Sequence, residues 1–96
     1  MDLPLNEISE LCRKYQVAEL SLFGSALGED FNAQSDFDFL VEFLPQAKIG
    51  FIALSKMQRE LSEMLHRPVD LVPKHGLKPG LKELVLPSAR KIYETR

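Results

Sequence analysis

The sequence predicts one α/β layer domain over residues 1–96, and three observations carry that reading. Apolar residues recur at helical spacing in two separate segments, near residues 5–15 and 51–65. From Phe37 the period changes to two, as a strand requires. No repeat, low-complexity tract or linker divides the 96 residues, a length that can bury about 60 to 70% of the surface its unfolded chain exposes.

Each element has a local cause. After Pro4, the residues Leu5, Ile8, Leu11, Cys12 and Tyr15 form an apolar stripe, with Glu7 and Glu10 early and Arg13 and Lys14 late, as the helix dipole prefers. VAELSLF, residues 17–23, then reads as a strand that Gly24-Ser25 stops. In the next strand Phe37, Phe39, Val41 and Phe43 face the core, while Asp36, Asp38, Leu40 and Glu42 face the other way. A loop around Pro45 to Gly50 leads to a long helical stripe of Phe51, Leu54, Met57, Leu61, Met64 and Leu65, read as core packing. That helix ends near His66, because Pro68 disfavours helical geometry at Arg67. VDLV, residues 69–72, is a short strand and Pro73 to Pro79 a loop. The remainder is expected to be one or two helices, kinked or opened by Pro87.

Composition narrows the function classes. Hydrophobic residues make up 45% and charged residues 27%, and no apolar run approaches the roughly 20 residues of a membrane span. The start, MDLPLNEISE, lacks the basic and apolar regions of a secretory signal, so a soluble, cytoplasmic protein is expected. A net charge of −2 argues against binding bulk nucleic acid, which depends on neutralising many phosphates. The charge is uneven: residues 1–65 hold 5 Lys/Arg against 11 Asp/Glu, and residues 66–96 hold 7 against 3, a dipolar surface. Cys12 is the only cysteine and sits on the apolar stripe, which suits a small buried residue better than a nucleophile.

The chemistry-bearing residues fall at strand ends. Asp36 and Asp38 share one strand face with Cα atoms about 6.6 Å apart, at roughly 3.3 Å per residue, a costly pairing unless a cation lies between them. Asp70 stands between Val69 and Leu71, and a carboxylate in an apolar strand asks for a cation or a donor. Gly24-Ser25 can bring backbone close to a phosphate, although such a pair is also an ordinary helix-capping turn. If the three strands are neighbours, these residues form one site. Two carboxylates on one face suit Mg²⁺ together with substrate phosphates, and Asp70 then completes a second metal position or serves as base for an incoming hydroxyl. An EF-hand beginning at Asp30 fails, since glycine is absent at its sixth position and Val41 stands where the bidentate glutamate belongs. His66 and His75 have no partner at metal-pair spacing and read as surface or capping residues.

LFGSALGEDFNAQSDFDFLVEF followed by MQRELSEMLHRPVDLV resembles the minimal nucleotidyltransferases (MNT) of the polymerase-β-like nucleotidyltransferase superfamily, over nearly the whole chain. The resemblance implies the family fold, α/β (α+β) with a small mixed sheet of three or more strands flanked by helices. It implies Gly24 and Ser25 on the nucleotide phosphates and Asp36, Asp38 and Asp70 as the catalytic, metal-binding carboxylates. Two Mg²⁺ ions and ATP as donor follow from it. So does a partner, since many relatives are antitoxins of HEPN-domain toxins and some transfer AMP to a tyrosine of the toxin. The expected function is therefore Mg²⁺-dependent transfer of AMP to a hydroxyl of a HEPN-type toxin. The alternative is a binding module that neutralises its partner by contact. A homo- or hetero-oligomer is compatible with either. One departure stands out: many family members have an arginine shortly after Gly-Ser, where this chain has Ala26, Leu27 and Gly28. That leaves Lys74, His75, Lys78 or a partner to supply positive charge at the triphosphate.

Overall fold

A computed structural model describes residues 3–23, 37–76 and 89–95, in the order α1 (Leu5–Lys14), β1 (Val17–Phe23), β2 (Phe37–Phe43), α2 (Phe51–Leu65), β3 (Val69–Pro73) and β4 (Arg90–Glu94), with a 3₁₀ turn over Lys74–Gly76. The strands form one mixed sheet in the order β3-β2-β1-β4. β1 runs antiparallel to both β2 and β4, whereas β2 and β3 are parallel and are joined through α2, the crossover that a parallel pair needs.

Register assigns the paired side chains of β1, β2 and β3 to a face. Leu22, Phe39 and Leu71 lie in one row, Leu20, Val41 and Pro73 in the next, and Phe37 sits beside Val69. Ile8, Leu11 and Cys12 of α1 and Met57 and Leu61 of α2 pack on this face, so both helices cover the same side of the sheet. Phe39, Ile8, Leu20, Met57 and Leu61 are fully buried there, each contributing about 1.5–3 kcal/mol relative to an exposed side chain. The Phe37 and Phe39 rings, two residues apart on this face, stack at 6.0 Å. Cys12 is buried as expected, and burial pushes its thiol up to about 12.

The helices are tied to each other by a polar contact as well. Tyr15 donates a short hydrogen bond to Oε2 of Glu60, and Lys14 reaches Oε1 at 2.9 Å. Partial burial and the Glu60 carboxylate push the Tyr15 hydroxyl up to about 12, while the Tyr15 and Lys14 hydrogen bonds hold Glu60 below the usual carboxylate range.

Two expectations are overturned. Residues 90–94 form a strand, not a helix: β1 still had an edge to pair, and Ile92 and Tyr93, a β-branched and an aromatic residue, pack against the core from it. The expected helices between Pro79 and Pro87 fall outside the described residues. Phe51 does not join the core stripe, because it is 81% exposed; it opens the first turn of α2, beyond the sheet that covers Met57 and Leu61. No described helix is long and apolar enough to cross a membrane.

Candidate active site

The face turned away from the helices carries Phe23, Asp38 and Asp70 in one row, Ser21, Leu40 and Val72 in the next, and Glu19 and Glu42 in the third. Two of the three predicted carboxylates are thus brought together. Asp38 and Asp70 stand directly opposite each other on parallel strands, Asp38 half-buried and Asp70 exposed. Adjacent strands lie about 4.8 Å apart, so two like charges share one short span.

That pairing is built by the turn before β3. His66 caps α2 in the left-handed conformation with φ 57°, and the Arg67 N–H returns to the Ser62 carbonyl at 3.3 Å. The Ser62 hydroxyl donates to the Arg67 carbonyl at 2.6 Å. Next, the Pro68 carbonyl accepts the Phe37 N–H at 3.0 Å, which starts the parallel ladder. Counting from there puts residue 70 beside residue 38. A slip by one residue would set Val69 or Leu71 against Asp38 and turn Asp70 into the core. The Arg67 guanidinium lies 5.4 Å over the Phe37 ring, on the helix side. On the outer side of β3, the Leu71 N–H donates to Oε1 of Gln58 at 2.9 Å.

Asp36, Gly24 and Ser25 lie outside the described residues. Gly24 and Ser25 directly follow Phe23, the register partner of Asp38, and Asp36 directly precedes Phe37. Among the described residues no group of three His, Cys, Asp or Glu side chains is arranged to hold a metal ion. Asp38 and Asp70 do offer the all-oxygen, anionic donor set that Mg²⁺ prefers, with substrate phosphates left to complete it.

Lys74 is engaged by carboxylates on this face. Four residues beyond Asp70, it belongs to the opposite end of this face, where its Nζ lies 3.5 Å from Glu19 and 3.8 Å from Glu42. Lys91 of β4 completes the cluster, 3.8 Å from Glu19 and 3.2 Å from Glu94. Lys91 and Glu94 would fall on opposite faces of a regular strand; the register shift between Leu20 and Ser21 brings both to the face turned away from the helices. The like charges of Glu19, Glu42 and Glu94 are thereby interleaved with two lysines. Sequence reading missed this cluster because it depends on β4. His66 is an exposed helix cap, as expected.

The nucleotidyltransferase domain family matches residues 6–92. Protein adenylyltransferase MntA of Thermococcus cleftensis is 32% identical over 77 residues, which cover 80% of this chain and 76% of that protein. A crystal structure of a toxin-antitoxin with AMP-PNP has a similar fold, with a TM-score of 0.79 at 25% identity over 98% of this chain and 76% of that one. The complex of a tri-AMPylated Shewanella oneidensis HEPN toxin with MNT antitoxin gives a TM-score of 0.70 at 24% identity, over 95% of this chain and 70% of the matched one, a likeness of fold. With a match that runs from within α1 into β4, the chain belongs to the nucleotidyltransferase domain family.

Proposed function

We propose that this chain is a Mg²⁺-dependent adenylyltransferase that moves AMP from ATP to a hydroxyl, of tyrosine by preference, on a HEPN-domain toxin, and thereby acts as its antitoxin. The observation that carries this reading is the direct opposition of Asp38 and Asp70 across parallel strands, at the end of the sheet face where Phe23 leads into Gly24-Ser25. The T. cleftensis relative, named a protein adenylyltransferase, and the fold shared with toxin-antitoxin structures support it.

In the reaction, the acceptor oxygen bonds to the α-phosphorus of ATP as the bond from that phosphorus to the bridging oxygen breaks. The products are AMP-protein, pyrophosphate and a proton. Asp36, Asp38 and Asp70 would hold Mg²⁺, which when bound neutralises charge on the phosphate oxygens. Asp70, the more exposed of the opposed pair, would either complete the metal site or take the hydroxyl proton of an incoming side chain. Gly24 and Ser25 would seat the phosphates with backbone N–H groups and the Ser25 hydroxyl. Half-buried Asp38, between Phe23 and Asp70, is the positional reference of the site.

The test is incubation of the purified chain with its neighbour-encoded HEPN-domain protein, labelled ATP and Mg²⁺. Label on the partner that disappears with Asp38→Asn is the expected result. A wild-type chain that leaves the partner unlabelled overturns the reading. The sequence Ala26-Leu27-Gly28, where many relatives have an arginine, favours the second reading of an antitoxin that acts by contact. Full neutralisation by a transfer-dead Asp38→Asn chain would establish it.

A further inference from the structure

Phe51 and Ile52 are 81% and 71% exposed, side by side on the first turn of α2. Exposed Ser55, Lys56 and Arg59 continue the same face along the helix, and exposed Lys48 precedes it. Ile52 lies on the opposite side of α2 from the inward-packing Met57 and Leu61, and Phe51 stands at the flank of that stripe in the first turn, so the core takes up neither side chain. The patch is also positive. No acidic residue occupies the first turn of α2, and Gly50 caps it without a side chain, so the positive end of the helix dipole adds to the three basic residues. Glu60, the nearest carboxylate along α2, is engaged by Tyr15 and Lys14.

We propose that Phe51 and Ile52 anchor a protein partner whose surface offers an apolar cleft rimmed by carboxylates. Charge complementarity selects the acidic rim. Two apolar side chains on one turn are enough for a single pocket; a lipid surface would instead call for a continuous apolar face, and the apolar face of α2 is spent on the core. Position defines the role. α2 has 15 residues, about 22 Å at 1.5 Å each, and its other end leads through Pro68 to Asp70. The anchor is therefore at the opposite end of the domain from the paired aspartates and on the helix side of the sheet, so a partner held there leaves the aspartates uncovered. This docking role rests on the reading that the chain acts on a partner protein.

The test compares wild type with Phe51→Ser/Ile52→Ser, two exposed positions whose replacement leaves the core intact. Titration calorimetry with the neighbour-encoded HEPN-domain protein, without nucleotide, should show binding weakened on the order of 30-fold or more by the double variant. ATP affinity and melting temperature should not change. Lys56→Glu/Arg59→Glu should slow association and reduce its dependence on salt. The proposal is overturned if the double variant binds within twofold of wild type, or if wild type does not bind that protein. It is equally overturned if the patch serves a different occupant: sedimentation with anionic vesicles, or a wild-type dimer, lost in the double variant while partner affinity stays intact. Binding that depends on Phe51 and Ile52 without any AMP transfer leaves docking in place and removes the transferase reading. Transfer with unaltered binding does the reverse.

Discussion

Replacing Asp70 with asparagine tests the site through stability rather than turnover. In the absence of a cation, the opposed carboxylates of Asp38 and Asp70 repel across one interstrand spacing. Two unit charges about 5 Å apart interact by roughly 0.8 kcal/mol at the dielectric constant of water and by about 3 kcal/mol at an effective value of 20. Asp70 is exposed and salt screens the pair, so the lower figure applies. Asparagine keeps the shape and removes the charge. For a domain of this size about 1 kcal/mol corresponds to roughly 4–8 °C, so Asp70→Asn should melt a few degrees above wild type in excess chelator. Mg²⁺ with ATP at about 100 times its dissociation constant should then stabilise wild type by about 2.7 kcal/mol and the variant by much less. Thermal melts read by circular dichroism, with and without Mg²⁺ and ATP, give both comparisons. A variant that melts below wild type in chelator would mean that Asp70 is held by structural donors. Equal stabilisation of both proteins by Mg²⁺ and ATP would remove Asp70 from the site.

Two further outcomes follow from the packing. Tyr15→Phe removes the hydrogen bond to Glu60 and should cost about 1 kcal/mol near neutral pH, because a charge-assisted bond is weakened by its partial exposure. Glu60 is depressed, so its contribution is present above the ordinary carboxylate range and is lost as pH falls through it. Tyr15 is raised from 10 to about 12, so its contribution is present below pH 10 and is lost between 10 and 12. Denaturation across pH should accordingly lose its alkaline decline in the variant, and an unchanged profile would show that the contact is silent. Leu61→Ala, at a fully buried position between α2 and the sheet, should cost about 2–5 kcal/mol in urea titrations with no change in ATP affinity per folded molecule.

Most of the central fold was legible because its elements differ in period. The two-residue alternation from Phe37 to Phe43 separated the helix-facing phenylalanines from the acidic face, and helical spacing marked Ile8 and Cys12, and Met57 and Leu61, as core. Pro68 marked the end of α2 within a few residues. What stayed hidden depends on long-range pairing. Arg90–Glu94 has too few residues to show a period, and its strand geometry comes from an available edge of β1, which its own sequence does not announce. Phe51 fitted the helical stripe by spacing, but spacing says nothing about how far along a helix the sheet extends beneath it. For the site, residue types suggested Asp38 and Asp70, while their opposition needed the Pro68–Phe37 hydrogen bond that sets the register. Lys74 looked available to phosphate because Glu19, Glu42 and the cluster around them are brought together only by the folded sheet.

The hydrogen bond from the Leu71 N–H to Gln58 bears on how the molecule can assemble. Among the described strands β3 borders the sheet, and a bordering strand offers its backbone as a template for any extended segment that collides with it. Here the side-chain amide of Gln58 occupies that donor, and Pro73 at the end of the strand has no N–H to offer. An incoming strand would have to displace Gln58 from a helix anchored by Met57 and Leu61 on either side of it, so extension of the sheet is discouraged along the very strand that holds Asp70. The Asp70 carboxylate stays exposed while the backbone N–H beside it is already taken.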